Sequence, residues 1–297
     1  MQYHWQNLLP AVLQGQTKAI ARCISLLENE VPGYTTFLQS LPISHTPVIG
    51  ITGPPGAGKS TLTDALIGQL VNAGKKVAVL CVDPSSPFNL GAVLGDRIRM
   101  SSWYNNSQVY IRSLATRGSM GGLHPSILEI TDVLKVARFD YVVVETVGVG
   151  QSEIEITGLA DVTVVVLVPE AGDDIQTMKA GLMEIANIFV VNKFDRPQAK
   201  KFVQYLQLML APVYQKQNVP IVPTIAHMGQ GVAELLAAIQ QHLQAPKNAT
   251  KKHWLLTEKA YKLIQQHKMK TVDKQALFTA ISTQQNLHLY SFIQSYL

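Results

Sequence analysis

Residues 48–61 constrain this chain more than any other stretch. Val48-Ile49-Gly50-Ile51-Thr52 is a short apolar run with the character of a buried strand. It passes at once into Gly53-Pro54-Pro55-Gly56-Ala57-Gly58-Lys59-Ser60-Thr61, which fits G-x-x-x-x-G-K-[ST]. Thr61 to Leu70 then carries Leu62, Ala65, Leu66 and Leu70 at helical spacing. Strand, glycine-rich loop and helix in that order make a phosphate-binding P-loop. Phosphates carry dense negative charge, and such a loop meets it with inward backbone N–H groups and the positive end of the helix that follows. Lys59 is expected to reach the β- and γ-phosphates, and the Ser60 hydroxyl to ligate Mg²⁺. A chain with this stretch is expected to bind a nucleoside triphosphate.

The rest of the chain agrees with an α/β protein. Candidate strands fall at 48–52, 77–82, 109–114, 140–145, 162–168, 187–192 and 220–224, with helices near 59–72, 125–137, 174–185, 197–210 and 231–243. Continuous runs such as Val142-Val143-Val144 and Val164-Val165-Val166 suit strands buried on both faces, and alternation with helices makes the sheet mostly parallel. The expected fold class is α/β: a P-loop NTPase with a mostly parallel central sheet flanked by helices, plus N- and C-terminal helical extensions. The expected division is a helical segment at 1–46, the P-loop domain at 47–243 and a helical arm at 244–297.

Charge and cysteines narrow the setting. The net charge of +5 resides largely in residues 251–297, which hold seven lysines against Glu258 and Asp273. Those lysines alternate with apolar residues at helical spacing. They read as a solvated helix face rather than a nucleic-acid or membrane-binding tail. Cys23 and Cys81 are far apart with no CxxC or Cys/His cluster, which suits a reducing compartment and neither a disulfide framework nor a zinc site. The first residues read as an amphipathic helix rather than a signal peptide, and the longest strongly apolar run, Val162 to Val168, is too short to span a bilayer. A soluble, cytoplasmic protein is expected.

An open α/β sheet holds its ligand at the carboxyl ends of its strands. There the chain has Asp83-Pro84-Ser85-Ser86-Pro87 and Gly95-Asp96-Arg97, then Ala115-Thr116-Arg117-Gly118, then Glu145-Thr146-Val147-Gly148-Val149-Gly150-Gln151. Singly, Asp83 suits a helix cap, Arg97 a surface ion pair and Gly148 a turn; together they read as switch loops around a nucleotide. After the next strand comes Val191-Asn192-Lys193-Phe194-Asp195, an N-K-x-D pattern. A carboxylate such as Asp195 accepts from the two N–H donors that guanine offers and adenine lacks, while Asn192 supports the loop and the Lys193 stem stacks on the base. The expected triphosphate is GTP, with GDP as product.

The carboxylate at the end of the fourth strand is Glu145, where an Asp is usual, and its length suits a water-mediated contact to Mg²⁺. Asp83 and Asp96 add further acid beside it. Ras-like enzymes place a Gln directly after the switch glycine to orient the attacking water; here Val149 stands there and Gln151 comes two residues later. Slow intrinsic hydrolysis follows, completed by a partner or by dimerisation. Lys59, Glu145, Gly148 and Asp96 are the catalytic candidates, and Ser60, Asp83, Asp96 and Glu145 the metal candidates.

These residues resemble the MeaB/ArgK family of GTPases. The matching segments are GPPGAGKST (53–61), VDPSSP (82–87), LGDRIRM (94–100), IRSLATRG with a following GG (111–122), VVVETVGVGQSE (142–153), PEAGDDIQTMKAG (169–181) and VNKFD (191–195). The resemblance runs from about residue 14 to about 243. It implies a GTPase that pairs into a homodimer across its nucleotide sites, with a C-terminal arm used in dimerisation. It implies a chaperone of adenosylcobalamin-dependent acyl-CoA mutases, chiefly of the methylmalonyl-CoA mutase type, that gates cofactor loading and protects the mutase. By matched position the 169–181 segment corresponds to a third switch, with Asp173, Asp174 and Lys179 its residues. Gly172-Asp173-Asp174 is also an ordinary helix start.

Departures from the family pattern stand beside that match. The last guanine-contacting loop usually reads T-S-A, and here it is Thr224-Ile225-Ala226-His227; a backbone contact through Ile225, Ala226 and His227 survives that change. Leu90 stands where the family often has glycine. Two other functions fit parts of the pattern: a nickel metallochaperone GTPase like HypB or UreG, for which Cys81, His124 and His227 are the nearest soft ligands, and a transport-linked ATPase or kinase, against which the N-K-x-D loop argues.

Overall fold

The computed structural model describes residues 5–83, 100–117, 123–147, 152–171, 185–210, 219–245, 249–269, 272–283 and 288–296. Its centre is a sheet of seven strands: β1 (Val48–Thr52), β2 (Val77–Asp83), β3 (Val109–Ala115), β4 (Tyr141–Glu145), β5 (Val162–Leu167), β6 (Ile188–Val191) and β7 (Ile221–Pro223). They lie in the order β3-β2-β4-β1-β5-β6-β7, and each neighbouring pair is parallel. The strand that leads into the P-loop is therefore central, between β4 and β5. Register sets Glu145 level with Ile51 of β1 and with Cys81 of β2, so the carboxyl ends of three strands reach one height.

The apolar runs explain the layers. β1, β2, β4, β5 and β6 are buried along nearly their whole length, as strands covered on both faces must be. Edge strand β3 is only partly buried and carries Tyr110, Arg112 and Ser113 within it. On one face, α4 (Lys59–Asn72) and a C-terminal helix, α8 (Val232–Gln244), pack Leu62, Leu66, Leu235 and Ile239 against Ile49, Ile51, Val79 and Val143. The opposite face is covered by α5 (Ile127–Val136) and α6 (Ser152–Leu159). A third cluster joins Phe189 of β6 to Phe202 and Leu206 of α7 (Ala199–Leu210). Each such aliphatic or aromatic side chain contributes roughly 1.5–3 kcal/mol by leaving water.

The N-terminal helices α1 (Trp5–Leu13), α2 (Thr17–Glu28) and α3 (Tyr34–Gln39) share that second face. Ile20, Cys23, Ile24 and Leu27 of α2 are buried in one core with α5 and with Ala78, Leu80 and Val144 of the sheet. Trp5 donates its indole N–H to the Pro32 carbonyl at 2.9 Å and stacks on Phe37. The chain up to Pro246 forms one compact unit, and Lys247–Leu297 a second. Within the second lie α9 (Ala249–Met269), α10 (Lys274–Ser282), capped by the Asp273 carboxylate accepting from Gln275 N, and α11 (Leu289–Ile293). Among the described residues no helix is long and apolar enough to cross a membrane.

Candidate functional site

In a core so apolar the informative residues are the buried polar ones. Thr52, Lys59, Ser60, Thr63, Asp83, Glu145, Thr146, Asn192 and Thr224 are all buried. They sit at the carboxyl ends of β1, β2 and β4, just after β6 and β7, and in the first turns of α4. That is one end of the sheet, around the P-loop.

Two glycines allow the loop its path. Gly53 has φ +141°, and a Cβ there would lie 2.1 Å from the Val166 carbonyl oxygen of β5. Gly58, at φ +87°, begins α4, and a Cβ there would lie 2.4 Å from Asn192 Nδ2. The loop is thus pressed between β5 and the residue that ends β6. Gly58 brings no capping side chain, so the first-turn N–H groups of α4 are not claimed by a cap. Lys59 is nearly buried, its ammonium 3.0 Å from the Gly53 oxygen and 3.2 Å from the Pro54 oxygen, which aims it back over the loop. Pro55 and Gly56 are exposed at the tip, Ala57 is buried beneath them, and Thr61 is half-buried.

Glu145 faces this loop from β4. Ser60 Oγ donates to Glu145 Oε1 at 2.7 Å, and Thr63 Oγ1 donates to Oε2 at 2.8 Å. The residue is only 3% exposed, so two hydroxyls of one helix face meet its carboxylate in a low-dielectric setting where such bonds are strong. The Thr52 and Thr146 hydroxyls bond to each other at 2.9 Å beside it, and Thr146 N donates to the Ile51 oxygen. Asp83 ends β2, buried, two residues beyond the partner of Glu145, and its backbone oxygen accepts from Thr116 N.

Asn192 joins the P-loop to the next two loops. Its Nδ2 donates to the Ala57 oxygen at 2.9 Å, while its Oδ1 accepts from Thr224 Oγ1 and from Ala226 N, both at 3.1 Å. Lys193, at φ +55°, donates through Nζ to the Gly56 oxygen at 2.7 Å. Asp195 is exposed at the rim, as is His227, with Ile225 half-buried and Ala226 buried. Arg196, directly after the N-K-x-D run, pairs with Glu170 at the head of the 169–181 segment.

The structure therefore brings residues 53–61, Glu145, Asn192, Lys193 and Ala226 into one bonded network, with Asp83 at the adjoining strand end. Asp96, Gly148, Asp173, Asp174 and Lys179 lie outside the described residues. Thr63 and Thr52 are members that the motifs do not announce. The available signal for Thr63 is its spacing of three from Ser60, which puts both hydroxyls on one helix face. Cys81 is buried, its Sγ 3.9 Å from Met100 Sδ.

A second polar cluster lies at the β3 edge. Arg112 pairs with the Glu28 carboxylate at the end of α2 and donates to Ser25 Oγ at 3.2 Å. Arg117 donates to the Glu28 backbone oxygen. His124 is 1% exposed; its Nδ1 accepts from Ser126 N at 3.0 Å, which leaves the proton on Nε2. Among the described residues Nε2 has no hydrogen-bond partner, nor do Tyr110 Oη and Arg112 Nε. Burial, with the positive charges of Arg117 and Arg112, pushes the His124 pKa down to about 4. Burial likewise pushes the Tyr110 hydroxyl and the Cys23 thiol each up to about 12.

Comparison with known proteins places the chain in a family. A family model described as "Methylmalonyl Co-A mutase-associated GTPase MeaB" matches residues 20–282. A putative GTPase of Pyrococcus horikoshii is 44% identical over 245 residues, covering 80% of this chain and 77% of that protein. A fused isobutyryl-CoA mutase of Geobacillus kaustophilus is 41% identical over 205 residues, which is 64% of this chain and 19% of that much longer protein. Among solved structures, an LAO/AO transport system kinase superposes with a TM-score of 0.66 at 24% identity, over 98% of this chain and 95% of that one, so the likeness is one of fold.

Proposed function

This chain belongs to the MeaB family and is a GTPase with the P-loop fold, and from that premise we propose that it serves an adenosylcobalamin-dependent acyl-CoA mutase as a GTP-driven chaperone. The proposal gives residues 53–61 the phosphates, Asn192, Lys193 and Asp195 the guanine base, and the backbone of Ile225, Ala226 and His227 the far side of the base. The observation that carries this division is the Asn192 side chain, which bonds the P-loop and the 224–226 loop at once. Occupancy of the base site and the shape of the phosphate site thereby become one structural variable.

Mg²⁺ fits the acidic side of the site. It takes oxygen ligands and keeps several waters; Ser60, Asp83 and Glu145 supply hydroxyl and carboxylate oxygen at one end of the sheet. Ser60 donates its proton to Glu145 and so keeps its oxygen lone pairs available. These residues, with Asp96, would hold the cation, which when bound neutralises charge on the phosphates. Lys59, fixed by two loop carbonyls, is placed to meet negative charge without reorganising. Glu145, Gly148 and Asp96 complete the proposed catalytic set, and Asp173, Asp174 and Lys179 the proposed partner-sensing switch. With Val149 after Gly148, the isolated protein turns over slowly and a partner completes the site.

The mutase assignment draws support from the family description and from the Geobacillus relative, in which a homologous segment is part of an isobutyryl-CoA mutase. Homodimer formation through residues 244–297 draws support from Tyr261, Ile264, Phe278 and Tyr290, large side chains exposed in that unit. The two reduced, buried cysteines suit a cytoplasmic setting. GTP turnover measured with and without purified acyl-CoA mutases, together with co-elution, tests the reading. Stimulation of about tenfold or more and a stable complex with one mutase are expected. A fast basal rate, or no effect and no complex with any of them, overturns the chaperone assignment while leaving the GTPase.

A further inference from the structure

Thr63 is wholly buried, and its hydroxyl has two acceptors within reach: Glu145 Oε2 at 2.8 Å and the Lys59 carbonyl oxygen at 2.9 Å. A hydroxyl has one proton to give. The Lys59 carbonyl is the i−4 acceptor of the Thr63 backbone N–H within α4, whereas a carboxylate is the stronger acceptor, so the proton goes to Glu145.

That bond has a geometric consequence. The terminal torsion of a Glu side chain is broad and nearly two-fold, so one hydrogen bond leaves the carboxylate plane free to turn. Ser60 holds Oε1 and Thr63 holds Oε2, about one helical turn apart on α4. Two anchors on a rigid helix fix the plane.

We propose that Thr63 is a positioning residue that fixes the plane of Glu145 and thereby tunes the site for Mg²⁺. The inference rests on the reading of Ser60 and Glu145 as part of the Mg²⁺ region. Mg²⁺ demands near-ideal octahedral geometry and keeps its waters, while Ca²⁺ accepts flexible and bidentate carboxylates. A Glu145 held at both oxygens by hydroxyls of one helix serves the first cation; a Glu145 without the Thr63 anchor serves the second at least as well. Thr63 therefore acts through Glu145, on cation affinity and on the choice between the two cations.

The experiment is a titration of a fluorescent GDP analogue bound to the full chain, with Mg²⁺ and separately with Ca²⁺, starting from EDTA. Thr63→Val keeps the shape and removes the donor. It is expected to raise the Mg²⁺ concentration for half-effect by about tenfold or more, as loss of an outer hydrogen-bond partner does at metal sites, and to shift Ca²⁺ less. Thr63→Ser restores the wild-type Mg²⁺ curve. In a Glu145→Gln background Thr63→Val adds little, because its route is removed. Equal Mg²⁺ and Ca²⁺ curves for wild type and Thr63→Val, or a full additional loss in the Glu145→Gln background, overturn the inference. If wild-type affinity itself does not respond to Mg²⁺, the metal reading fails and this inference falls with it, a result distinct from the first. Should Thr63→Val not fold, Thr63→Cys, with only a weak S–H donor, shows the same Mg²⁺ defect.

Discussion

Two buried polar clusters belong to this sheet, and they are built differently. Around the P-loop, Glu145 has both oxygens met by hydroxyls, and Asn192 uses its amide and its carbonyl together. At the β3 edge, Tyr110, Arg112 and His124 each keep a buried polar atom without a hydrogen-bond partner among the described residues. A satisfied buried network is rigid, whereas an unmatched buried donor costs the full desolvation of that group, about 1–3 kcal/mol. Around Glu145 and Asn192 the first cluster is therefore a rigid frame. The second concentrates unbalanced desolvation where α2 is tied to β3 by Arg112 and Arg117, directly before residues 118–122. Stability and binding should respond differently in the two places, and that difference can be broken or sharpened by substitution.

The largest effect is expected in the matched cluster. Asn192→Ala removes three bonds at a side chain 2% exposed and leaves the Ala57 carbonyl and the Ala226 N–H without it. A loss of about 3 kcal/mol in unfolding free energy follows. Guanine-nucleotide affinity falls by about tenfold or more, because the P-loop and the 224–226 loop are no longer joined. Urea unfolding and nucleotide titration read the two losses. A cost below about 1 kcal/mol would show that the network merely accompanies the fold, and the contrast between the clusters would vanish.

Much of this frame is legible in the residues. The seven strands lie within a residue or two of their expected positions, because double-sided burial produces unbroken Val and Ile runs that few other elements allow. The P-loop and N-K-x-D loop are legible because phosphate and guanine each demand particular residues at fixed spacing. The strand order is not legible: which strands neighbour β1 depends on crossover connections rather than on local pattern. Helix α6, after the Glu145 loop, is not among the expected helices, since Ser152–Leu159 shows no clear apolar stripe. Thr63 and the pairing of Arg112 with Glu28 are hidden for a related reason. Glu28 and Arg112 are 84 residues apart and their meeting depends on α2 packing beside β3, while Thr63 reads as an ordinary helix residue until β4 delivers Glu145 to it.

The second cluster should answer to pH. The His124 pKa lies near 4 in the folded protein against an ordinary 6.5. Between those values the unfolded chain binds the proton and the folded protein does not. The contribution of this group to stability is therefore full above about pH 6.5 and is lost as pH falls toward about 4, by up to roughly 3 kcal/mol. His124→Asn offers an amide oxygen to Ser126 N and cannot titrate. Urea midpoints between about pH 7 and about pH 4.5 should fall steeply for wild type and less so for this variant. Parallel slopes would mean that His124 does not carry the acid sensitivity of the β3 edge.

The smallest effect separates the causes of that shift. Burial is its leading cause, and the charges of Arg117 and Arg112 come after it. Arg117→Met removes one positive charge and keeps a long apolar stem over the surface. With less repulsion the imidazolium becomes easier to form, so the His124 pKa rises, by roughly half a unit or about 0.7 kcal/mol. Proton NMR of the imidazole follows this directly. The same variant also loses the bond to the Glu28 oxygen, which lowers stability at every pH. Absolute stability and its pH slope therefore fall together: a less stable protein with a shallower acid limb. A variant that is less stable with an unchanged His124 titration would leave the shift to burial and Arg112 and make Arg117 a tether for α2 alone. A pKa that rises all the way to the ordinary value would instead make the cluster electrostatic at root, and the contrast with the P-loop frame would then be one of unbalanced charge rather than of unmatched donors.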